Sequence, residues 1–308
     1  MEPGSGVRDP GSDPHHRLLD SDQLIHMDLT DRRRFYAEEI QVIANIRTPA
    51  LVDALAQVPR EKFLPPGPWQ MRSEIDYGGG PRQTPDDDPR HVYHNVVIAI
   101  DAARQLFNGA PSLLCICIDA LGLTPGARAV HVGCATGYYS ALMAHAVGPS
   151  GSLLSIDVDE SLAAAARSNL KELDWVNVRH GDGTDVAPDS VDAILVNAGM
   201  THPHESWLNA LRPGGRLLIP LTFTLPQMGP ISKGVMTLVT RNGDAWDARI
   251  VTMTAIFSGI GLRDDRMNDR LREAFMKGQM PSFKRMRRDP HEPGPACWLH
   301  GDSFCFST

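Results

Sequence analysis

A stretch of small residues in AVHVGCATGYYSA, residues 129–141, has the composition of a ligand-binding loop. Apolar residues run into Gly133, and the pattern after Gly137 predicts a helix. Because glycine has no side chain, a ligand at such a turn can lie against the backbone and against the N–H groups that open the helix. A tight turn with a purely structural role would show the same residues, so this alternative stays open here.

The spacing in this loop argues against a dinucleotide. The dinucleotide fingerprint is Gly-x-Gly-x-x-Gly/Ala, whose last position must be small for close packing of helix on strand. Here Ala135 stands at the third position and Tyr138 at the sixth, which disfavours pyrophosphate binding. The residues of this stretch that we predict to contact a cofactor are His131, Val132, Gly133, Cys134, Ala135, Gly137 and Tyr138.

An acidic residue, Asp157, ends the next predicted strand. A carboxylate about 20 residues beyond a glycine-rich turn commonly accepts hydrogen bonds from ribose hydroxyls. Asp157 could instead form a turn or cap the helix that begins near Glu160, although Asp159 could do this work. We predict that Asp157 and its neighbour Val158 line the cofactor site.

A second acidic residue, Asp182, follows the third strand between Gly181 and Gly183. It could accept a hydrogen bond from an adenine amino group, with the glycines leaving room for the ring, and an ordinary Asp-Gly turn is the alternative. After the fourth strand, Asn197 opens NAGM instead of the Asn-Pro-Pro-aromatic motif of enzymes that methylate amine nitrogens. We predict that Gly181, Asp182, Gly183 and Asn197 all contact the cofactor. Three successive strands thus end in a ligand-binding loop, a candidate acceptor for ribose (Asp157) and a candidate acceptor for adenine (Asp182). This combination favours S-adenosylmethionine over a nicotinamide cofactor.

Alternating strand and helix patterns surround these residues and must position them. Such repetition predicts an α/β fold with a mostly parallel sheet, because parallel strands need crossover connections. Asn242-Gly243 is a preferred type I′ pair, so we expect the sheet to end in an antiparallel hairpin. The predicted strands span residues 129–132, 153–157, 176–180, 191–196, 216–220, 235–240 and 248–254, with helices over 137–147, 160–173 and 204–211.

Composition and charge disfavour several classes of protein. The 308 residues are 42% hydrophobic, and the net charge of −7 argues against a general nucleic-acid binder. No apolar run approaches the roughly 20 residues of a membrane helix, and the N-terminus lacks a signal-peptide layout. Five cysteines without paired spacing suit a reducing cytoplasm. We expect a cytoplasmic protein that binds neither nucleic acid nor membranes, and a monomer is favoured without the oligomeric state being fixed.

No metal site is predicted. His202 and His204 lie on one loop, but a third ligand is not evident in the sequence. Cys115 and Cys117 stand in an apolar run and are most simply core residues.

Five segments resemble the protein-L-isoaspartate O-methyltransferases, namely VPREKF, HVGCATGYYSALMA, NVRHGDGTD, VDAILVNAG and LRPGGRLLIPL. The resemblance covers residues 51–261, and VPREKF and HGDG are fairly specific to that family. It implies a Rossmann-like S-adenosylmethionine-dependent methyltransferase fold, with a mostly parallel seven-stranded sheet that ends in an antiparallel hairpin. It also implies methyl transfer from S-adenosylmethionine to an aspartyl or L-isoaspartyl carboxylate of a protein or peptide, as in protein repair.

Four regions are expected along the chain. Residues 1–20 lack apolar periodicity and should be disordered. Residues 21–123 should form a helical and loop region over the substrate site, 124–262 the methyltransferase catalytic domain, and 263–308 a poorly packed C-terminal extension. Trp298 and Phe304 nevertheless suggest that the end packs back onto the domain. The elements predicted before residue 124 are helices over 29–46, 49–58 and 111–121, a long loop over 69–90, and a strand over 92–101 paired with 104–107.

The resemblance fails at FNGAP, residues 107–111. The family carries a Thr-Ile-Ser-Gln-Pro-like segment there, whose serine lies beside the methyl-transfer site, and matching the prolines puts Gly109 at the serine position. The sequence therefore identifies the methyl acceptor less clearly than the cofactor. An aspartate in one dedicated peptide is an alternative to the isoaspartyl residues of damaged proteins. The residues predicted to hold the acceptor are Asn108, Gly109 and Ser112, with Tyr93, His94 and Asn95 as lid residues.

A carboxylate acceptor would need no general base, because aspartate, with a pKa of about 3.9, is already anionic at neutral pH. Catalysis would then consist of in-line placement of the oxygen and exclusion of water. Two other classes stay open: an adaptor that binds S-adenosylmethionine without turnover, and a methyltransferase for a small-molecule or nucleic-acid acceptor.

Overall fold

The computed structural model describes residues 28–73, 79–187, 190–277 and 282–308, apart from the side chain of Met228. The predicted disorder of residues 1–20 lies outside these ranges. The helices of the described residues are α1 (Leu29–Ala44), α2 (Pro49–Gln57), α3 (Pro111–Leu121), α4 (Tyr138–Val147), α5 (Glu160–Leu170), α6 (Glu205–Ala210) and α7 (Asp265–Met276). None of them has the length and apolar character needed to cross a membrane.

The strands of the described residues fall into two sheets. They are β1 (Gln70–Arg72), β2 (Arg82–Gln83), β3 (Val97–Asp101), β4 (Leu106–Phe107), β5 (Arg128–Val132), β6 (Ser152–Asp157), β7 (Val176–His180), β8 (Val191–Val196), β9 (Leu211–Phe223), β10 (Ile231–Asn242), β11 (Ala245–Phe257), β12 (Arg285–Arg287), β13 (Cys297–His300) and β14 (Cys305–Ser307).

The larger sheet has ten strands in the order β13-β14-β12-β11-β10-β9-β8-β5-β6-β7. The strands from β9 to β7 are parallel neighbours, whereas β10 and β11 continue the sheet in antiparallel fashion. All seven predicted strands and the helices between them are present, which confirms the α/β fold with its Rossmann-like sheet. The sheet has ten strands instead of seven because the C-terminal residues add three.

The predicted hairpin joins β10 and β11, with Asn242 opposite Ala245. Its two-residue loop is Gly243-Asp244, and of these two only Gly243 has a positive φ, 65°. The predicted type I′ pair at Asn242-Gly243 is therefore wrong by one position, since type I′ needs positive φ at both loop residues. Glycine at the first loop position is instead the preference of a type II′ turn.

Alternate residues of the central strands enter different hydrophobic cores, because successive side chains of a strand point to opposite faces. Ala129 and Leu195 join the core beneath the helices α1 to α4. Val130 and Ile194 join the core beneath α6 and α7. Burial on both faces fixes the parallel strands, and so brings the carboxyl ends of β5 to β8 to one edge of the sheet.

The N-terminal region packs on the first core through α1, α2 and α3, all three of which the sequence predicted. Thr48 is the N-cap of α2 and Pro49 its first residue, as expected. The long loop predicted over residues 69–90 is partly wrong, because β1 and β2 pair within it and join a small sheet in the order β2-β1-β3-β4. Strands of two and three residues are too short to show a period of two.

The C-terminal residues are not the poorly packed extension that their charged, proline-rich composition predicted. β12, β13 and β14 continue the sheet beyond β11, and Met286, Phe304 and Phe306 lie in the second core. The ring of Trp298 lies 5.4 Å from that of Phe275, centroid to centroid. The predicted packing of Trp298 and Phe304 against the domain is confirmed.

We expect Phe306→Ala to lower the free energy of unfolding by about 3–5 kcal/mol, because truncating a buried ring leaves a cavity. Phe306 is fully buried beside Phe283 and Phe304. The matched control is Phe35→Ala, at a 56% exposed position of α1. It should change the free energy by less than about 0.5 kcal/mol. Urea denaturation followed by circular dichroism measures both variants, and equal losses would contradict this packing.

Candidate active site

The loop between β5 and α4 needs glycine for reasons of packing. Gly133 and Gly137 have φ of 76° and 96°. A Cβ atom at Gly133 would lie 3.0 Å from the carbonyl oxygen of Asn197, and one at Gly137 would lie 3.0 Å from a methyl group of Leu170. Close packing thus explains the glycines without a ligand, so a ligand has to be inferred from the polar groups around the loop.

The amino end of α4 offers backbone donors at this loop. Gly137 is the N-cap and provides no side-chain hydrogen bond, so the first N–H groups of α4 lack a capping side chain. The loop itself is held in place: Thr136 Oγ1 donates to the carbonyl of Phe63 at 2.7 Å, and Asn169 Nδ2 donates to the carbonyl of Thr136 at 2.9 Å. A polar or anionic ligand group would be stabilised at such a helix end.

Asp157 lies at the carboxyl end of β6 and faces the same loop. The residue is 7% exposed, and its carboxylate accepts from the N–H of Ala135 at 2.7 Å and from that of Asp159 at 3.0 Å. Asp159, and not Asp157, caps α5 by accepting from the N–H of Leu162 at 3.1 Å. Burial raises the pKa of Asp157, although both N–H bonds favour its charged form. A carboxylate has about four lone-pair sites, so acceptor capacity remains for a ligand hydroxyl.

Asp182 follows β7 on the adjacent strand end. It is exposed, and its Oδ1 accepts from the N–H of Thr184 at 2.9 Å, a bond that lowers the pKa of the carboxyl. This is the turn that the sequence analysis left open as the alternative, and the side chain of Thr184 is a second hydrogen-bond partner of the carboxylate. A Cβ atom at Gly183 would lie 2.3 Å from Val132, so this position requires glycine.

Two residues of the predicted cofactor set point away from this edge. His131 is fully buried with Nδ1 2.8 Å from Ser140 Oγ, and burial lowers its pKa to about 3, which keeps the ring neutral. Tyr138 is 2% exposed, and its hydroxyl lies 3.5 Å from that of Tyr36. We therefore correct the prediction for the side chains: strand alternation and the first turn of α4 turn the imidazole of His131 and the ring of Tyr138 into the core, so only the backbone of these residues is left to face a ligand at the strand ends.

The other predicted residues of the edge differ in exposure. Val158 is 49% exposed at the rim, while Val132 and Cys134 are buried. Asn197 follows β8 and donates its N–H to the carbonyl of Val132 at 2.8 Å, which joins the ends of β8 and β5.

The segment around Gly109 lies beside the first turn of α4. Tyr139 of that turn donates its hydroxyl to the carbonyl of Gly109 at 3.0 Å. Asn108 is 6% exposed, and its Oδ1 accepts from the N–H of Ile98 at 3.0 Å, whereas its buried Nδ2 has no partner among the described residues. Ser112 donates its N–H to Asn95 Oδ1 at 3.0 Å. The acceptor residues predicted from the sequence thus lie together, with one donor of Asn108 unused.

Arg60, from the VPREKF segment, is a residue of this site that the sequence analysis did not single out. Its guanidinium is fully buried and donates to the carbonyls of Val92, His94 and Val96 at 2.7, 2.9 and 2.8 Å. The ring of Tyr138 lies 5.8 Å away. Arg60 is followed by Glu61 and Lys62, so it reads as one of three charged residues in a row, and a buried arginine and an exposed one look alike in a sequence.

The predicted lid residues differ in burial. Tyr93 is 1% exposed and donates its hydroxyl to Glu61. His94 is exposed, with Nε2 2.6 Å from Arg32, and partial desolvation, with Arg32 adding to it, lowers the pKa of its ring. Tyr93 and Asn95 thus hold this segment at the wall of the site in this structure, and its role as a lid stays a prediction.

The histidines of the loop after β8 serve the local structure. His204 is the N-cap of α6, and His202 stacks on Phe304 with ring centroids 6.5 Å apart. Two surface cavities, of about 410 and 720 Å³, open at the amino ends of the strands, near Arg216 and Trp175. Ligands of open α/β sheets bind at the opposite, carboxyl ends, so neither cavity corresponds to the candidate site.

The fold places the protein in a class. A solved structure of a protein-L-isoaspartate O-methyltransferase superposes with a TM-score of 0.59 at 20% identity, over 83% of this chain and 73% of that one. A structure from Plasmodium falciparum, described as a protein of the same name in complex with S-adenosyl-L-homocysteine, superposes with a TM-score of 0.54 at 19% identity, over 73% and 97%. The chain has the Rossmann-like fold of the S-adenosylmethionine-dependent methyltransferases.

The sequence comparisons define the family within that class. The family model described as protein-L-isoaspartate(D-aspartate) O-methyltransferase matches residues 81–244. The protein-L-isoaspartate O-methyltransferase of Methylorubrum populi is 31% identical over 241 residues, which cover 76% of this chain and 99% of that protein. The enzyme of that name from Methanothrix thermoacetophila is 32% identical over 211 residues, 67% and 85% of the two chains. The chain belongs to the protein-L-isoaspartate O-methyltransferase family.

We expect Arg60→Lys to lower the free energy of unfolding by about 3 kcal/mol or more, because an ammonium cannot reach three carbonyls in the planar geometry of a guanidinium. The matched control is Arg34→Lys in α1, whose side chain is 67% exposed. It should leave stability within about 0.5 kcal/mol. Guanidinium chloride denaturation measures both, and a parent-like midpoint for Arg60→Lys would refute the structural role of the buried guanidinium.

Proposed function

We propose that this chain is an S-adenosylmethionine-dependent O-methyltransferase that esterifies the side-chain or α-carboxylate of an aspartyl or L-isoaspartyl residue in a protein or peptide. The observation that carries the proposal is the meeting of Asp157, Asp182 and the uncapped amino end of α4 at one edge of the sheet. Family membership supports the reaction class.

The polar groups of this edge fit the chemistry of the cofactor. Asp157 would accept from the ribose hydroxyls, and the exposed carboxylate of Asp182 would accept from the adenine amino group. The backbone from Gly133 to Gly137 would lie against the rest of the cofactor. The exposed side chain of Val158 would cover one face of the base. When bound, S-adenosylmethionine supplies an electrophilic methyl group on a sulfonium.

The acceptor side needs no general base, because a carboxylate is already charged at neutral pH. The tasks left to the chain are to attract, orient and desolvate an anion. Arg60 contributes a positive charge that no carboxylate offsets among its bonded groups in the described structure, and Asn108 contributes a free Nδ2 donor. Both favour an anionic oxygen near Gly109.

A second candidate acceptor is an aspartate in a dedicated peptide, and the conformation of Gly109 favours it. Gly109 has φ of 77°, and a Cβ atom there would lie 3.1 Å from Leu114. Serine at this position would be strained, so the backbone of the segment is organised differently from one that presents a serine hydroxyl. An altered acceptor side supports an altered peptide substrate within the same reaction class.

We also propose a division of labour along the chain, in which residues 21–123 cover the substrate side, 124–262 bind the cofactor and 263–308 brace the sheet. A cytoplasmic monomer is the proposed working form. The five cysteines, none of them in a disulfide, support a reducing compartment.

The proposal predicts that the chain transfers a tritiated methyl group from S-adenosylmethionine to an isoaspartyl or aspartyl peptide. The product should release its label in mild alkali, because methyl esters hydrolyse there whereas methylamines and ethers do not. Peptides that differ only in the linkage of one aspartate distinguish the two acceptors. Cofactor binding without turnover on either peptide would favour an adaptor, and an alkali-stable product would favour another acceptor class.

We expect Asp157→Asn to weaken binding of S-adenosylhomocysteine by about 10–100-fold, because a neutral amide replaces a charged acceptor of two hydroxyl donors. Isothermal titration calorimetry measures the affinity, and circular dichroism verifies the fold. Asp53→Asn, at an exposed position of α2, is the control and should bind as the parent does. Parent-like affinity for Asp157→Asn would remove the ribose assignment while leaving the reaction class to the methyl-transfer assay.

A further inference from the structure

Four side chains with metal-binding atoms converge in the C-terminal residues, far from the candidate active site. His291, Cys297, His300 and Cys305 place one nitrogen or sulfur atom each within 4.8 Å of all the others. β13 carries Cys297 and His300, and β14 carries Cys305, which is the cross-strand partner of His300. The hairpin register therefore brings three of the four together, and the segment before it supplies the fourth.

One distance within the cluster matches a tetrahedral site. Nε2 of His291 lies 3.6 Å from Sγ of Cys297. Zinc bonds of about 2.3 Å to sulfur and 2.0–2.1 Å to nitrogen, at the tetrahedral angle, separate two such ligands by about 3.6 Å. All four ligand atoms lie within 4.8 Å of one another, so small side-chain shifts would close the rest of the cluster around an ion.

Hydrogen bonds around the cluster prepare the ligand atoms. Nδ1 of His291 lies 2.8 Å from the carbonyl oxygen of Asp289, and since a carbonyl can only accept, Nδ1 carries the proton and Nε2 presents its lone pair toward Cys297. The N–H of Gly294 donates to Sγ of Cys297 at 3.4 Å and lowers the pKa of that thiol. Metal-bound histidines commonly show this kind of second bond, which fixes the tautomer.

One atom of the cluster is otherwise unexplained. Nδ1 of His300 is buried and has no hydrogen-bond partner within the described ranges. A buried polar atom without a partner costs free energy, and an ion held by this ring would provide the reason for burying it.

We propose that His291, Cys297, His300 and Cys305 bind one Zn²⁺ ion in a closed, structural site. Two thiolates and two imidazoles in tetrahedral array are the ligand set that zinc prefers, and four protein ligands leave no position for substrate or water. On binding, the two thiols lose their protons to solvent while the imidazoles bind as neutral rings, so the site carries no net charge.

The position of the site explains what the ion would stabilise. β12 meets β11 through one registered pair, Asp247 with Arg285, so few ladder bonds fasten the last three strands to the sheet. The ion would join the segment before β13 to both strands of the hairpin. β13 is seven places from β5 in the sheet order, which separates this site from the chemistry at the carboxyl ends of β5 to β8.

The test measures zinc in the full-length protein, purified under reducing conditions without chelators. Inductively coupled plasma mass spectrometry should find about one zinc per chain in the parent, and about a tenth of that or less in Cys297→Ser and in Cys305→Ser. Cys117→Ala and His145→Gln, which alter a core cysteine and an exposed histidine elsewhere, are the matched controls and should keep the metal.

X-ray absorption at the zinc edge of the parent decides the ligand set even where a cysteine variant fails to fold. Two sulfurs at about 2.3 Å and two nitrogens at about 2.0–2.1 Å are expected. Three outcomes would overturn the proposal: a folded parent that lacks zinc and does not take up added ZnCl2, zinc retained in both serine variants, or a Cys297–Cys305 disulfide found by mass spectrometry in the reduced preparation.

Discussion

The buried guanidinium of Arg60 holds the two sides of the candidate site together. Its donors meet three carbonyls of the connection that leads into β3, while Tyr138 at the start of α4 lies beside it. A cation in the interior is costly when its donors are unpaired, and Nε of Arg60 is already buried without a partner among the described residues. A shift of that connection would leave further donors of the charge unpaired in an apolar core. The wall on the acceptor side is thereby fixed relative to the cofactor loop.

The parallel part of the fold was predictable because its signals are local. The strands β5, β6 and β8 are short, mostly apolar runs bounded by turn residues, β7 alternates between apolar and polar residues, and the helices α4 and α5 show their own period. Asp157 and Asp182 could be placed at neighbouring strand ends because parallel strands share one carboxyl edge. Which of Asp157 and Asp159 caps α5 could not be read from the sequence, since both stand before Glu160 and only the backbone geometry decides.

What escaped prediction depends on contacts between distant residues. The strands β1, β2 and β12 to β14 are too short for periodicity and owe their structure to pairing partners elsewhere in the chain. The contacts of Tyr93 and His94 come from α1 and the VPREKF segment, more than 25 positions earlier. The cluster of His291 and Cys305 has a spacing that no common motif shares, and only the register of the β13–β14 hairpin makes its residues neighbours.

His131 gives the middle of the sheet a built-in sensitivity to acid. Its pKa in the folded chain is about 3, whereas an unfolded histidine titrates near 6.5. Between these two pH values His131 is protonated in the unfolded chain and neutral in the folded chain. Its contribution to the free energy of unfolding is therefore complete above about pH 6.5. Below that pH the contribution declines by up to about 1.4 kcal/mol for each pH unit. Acidification therefore lowers the free energy of unfolding through a residue of the strand that carries the glycine loop, although that residue contacts no charged group.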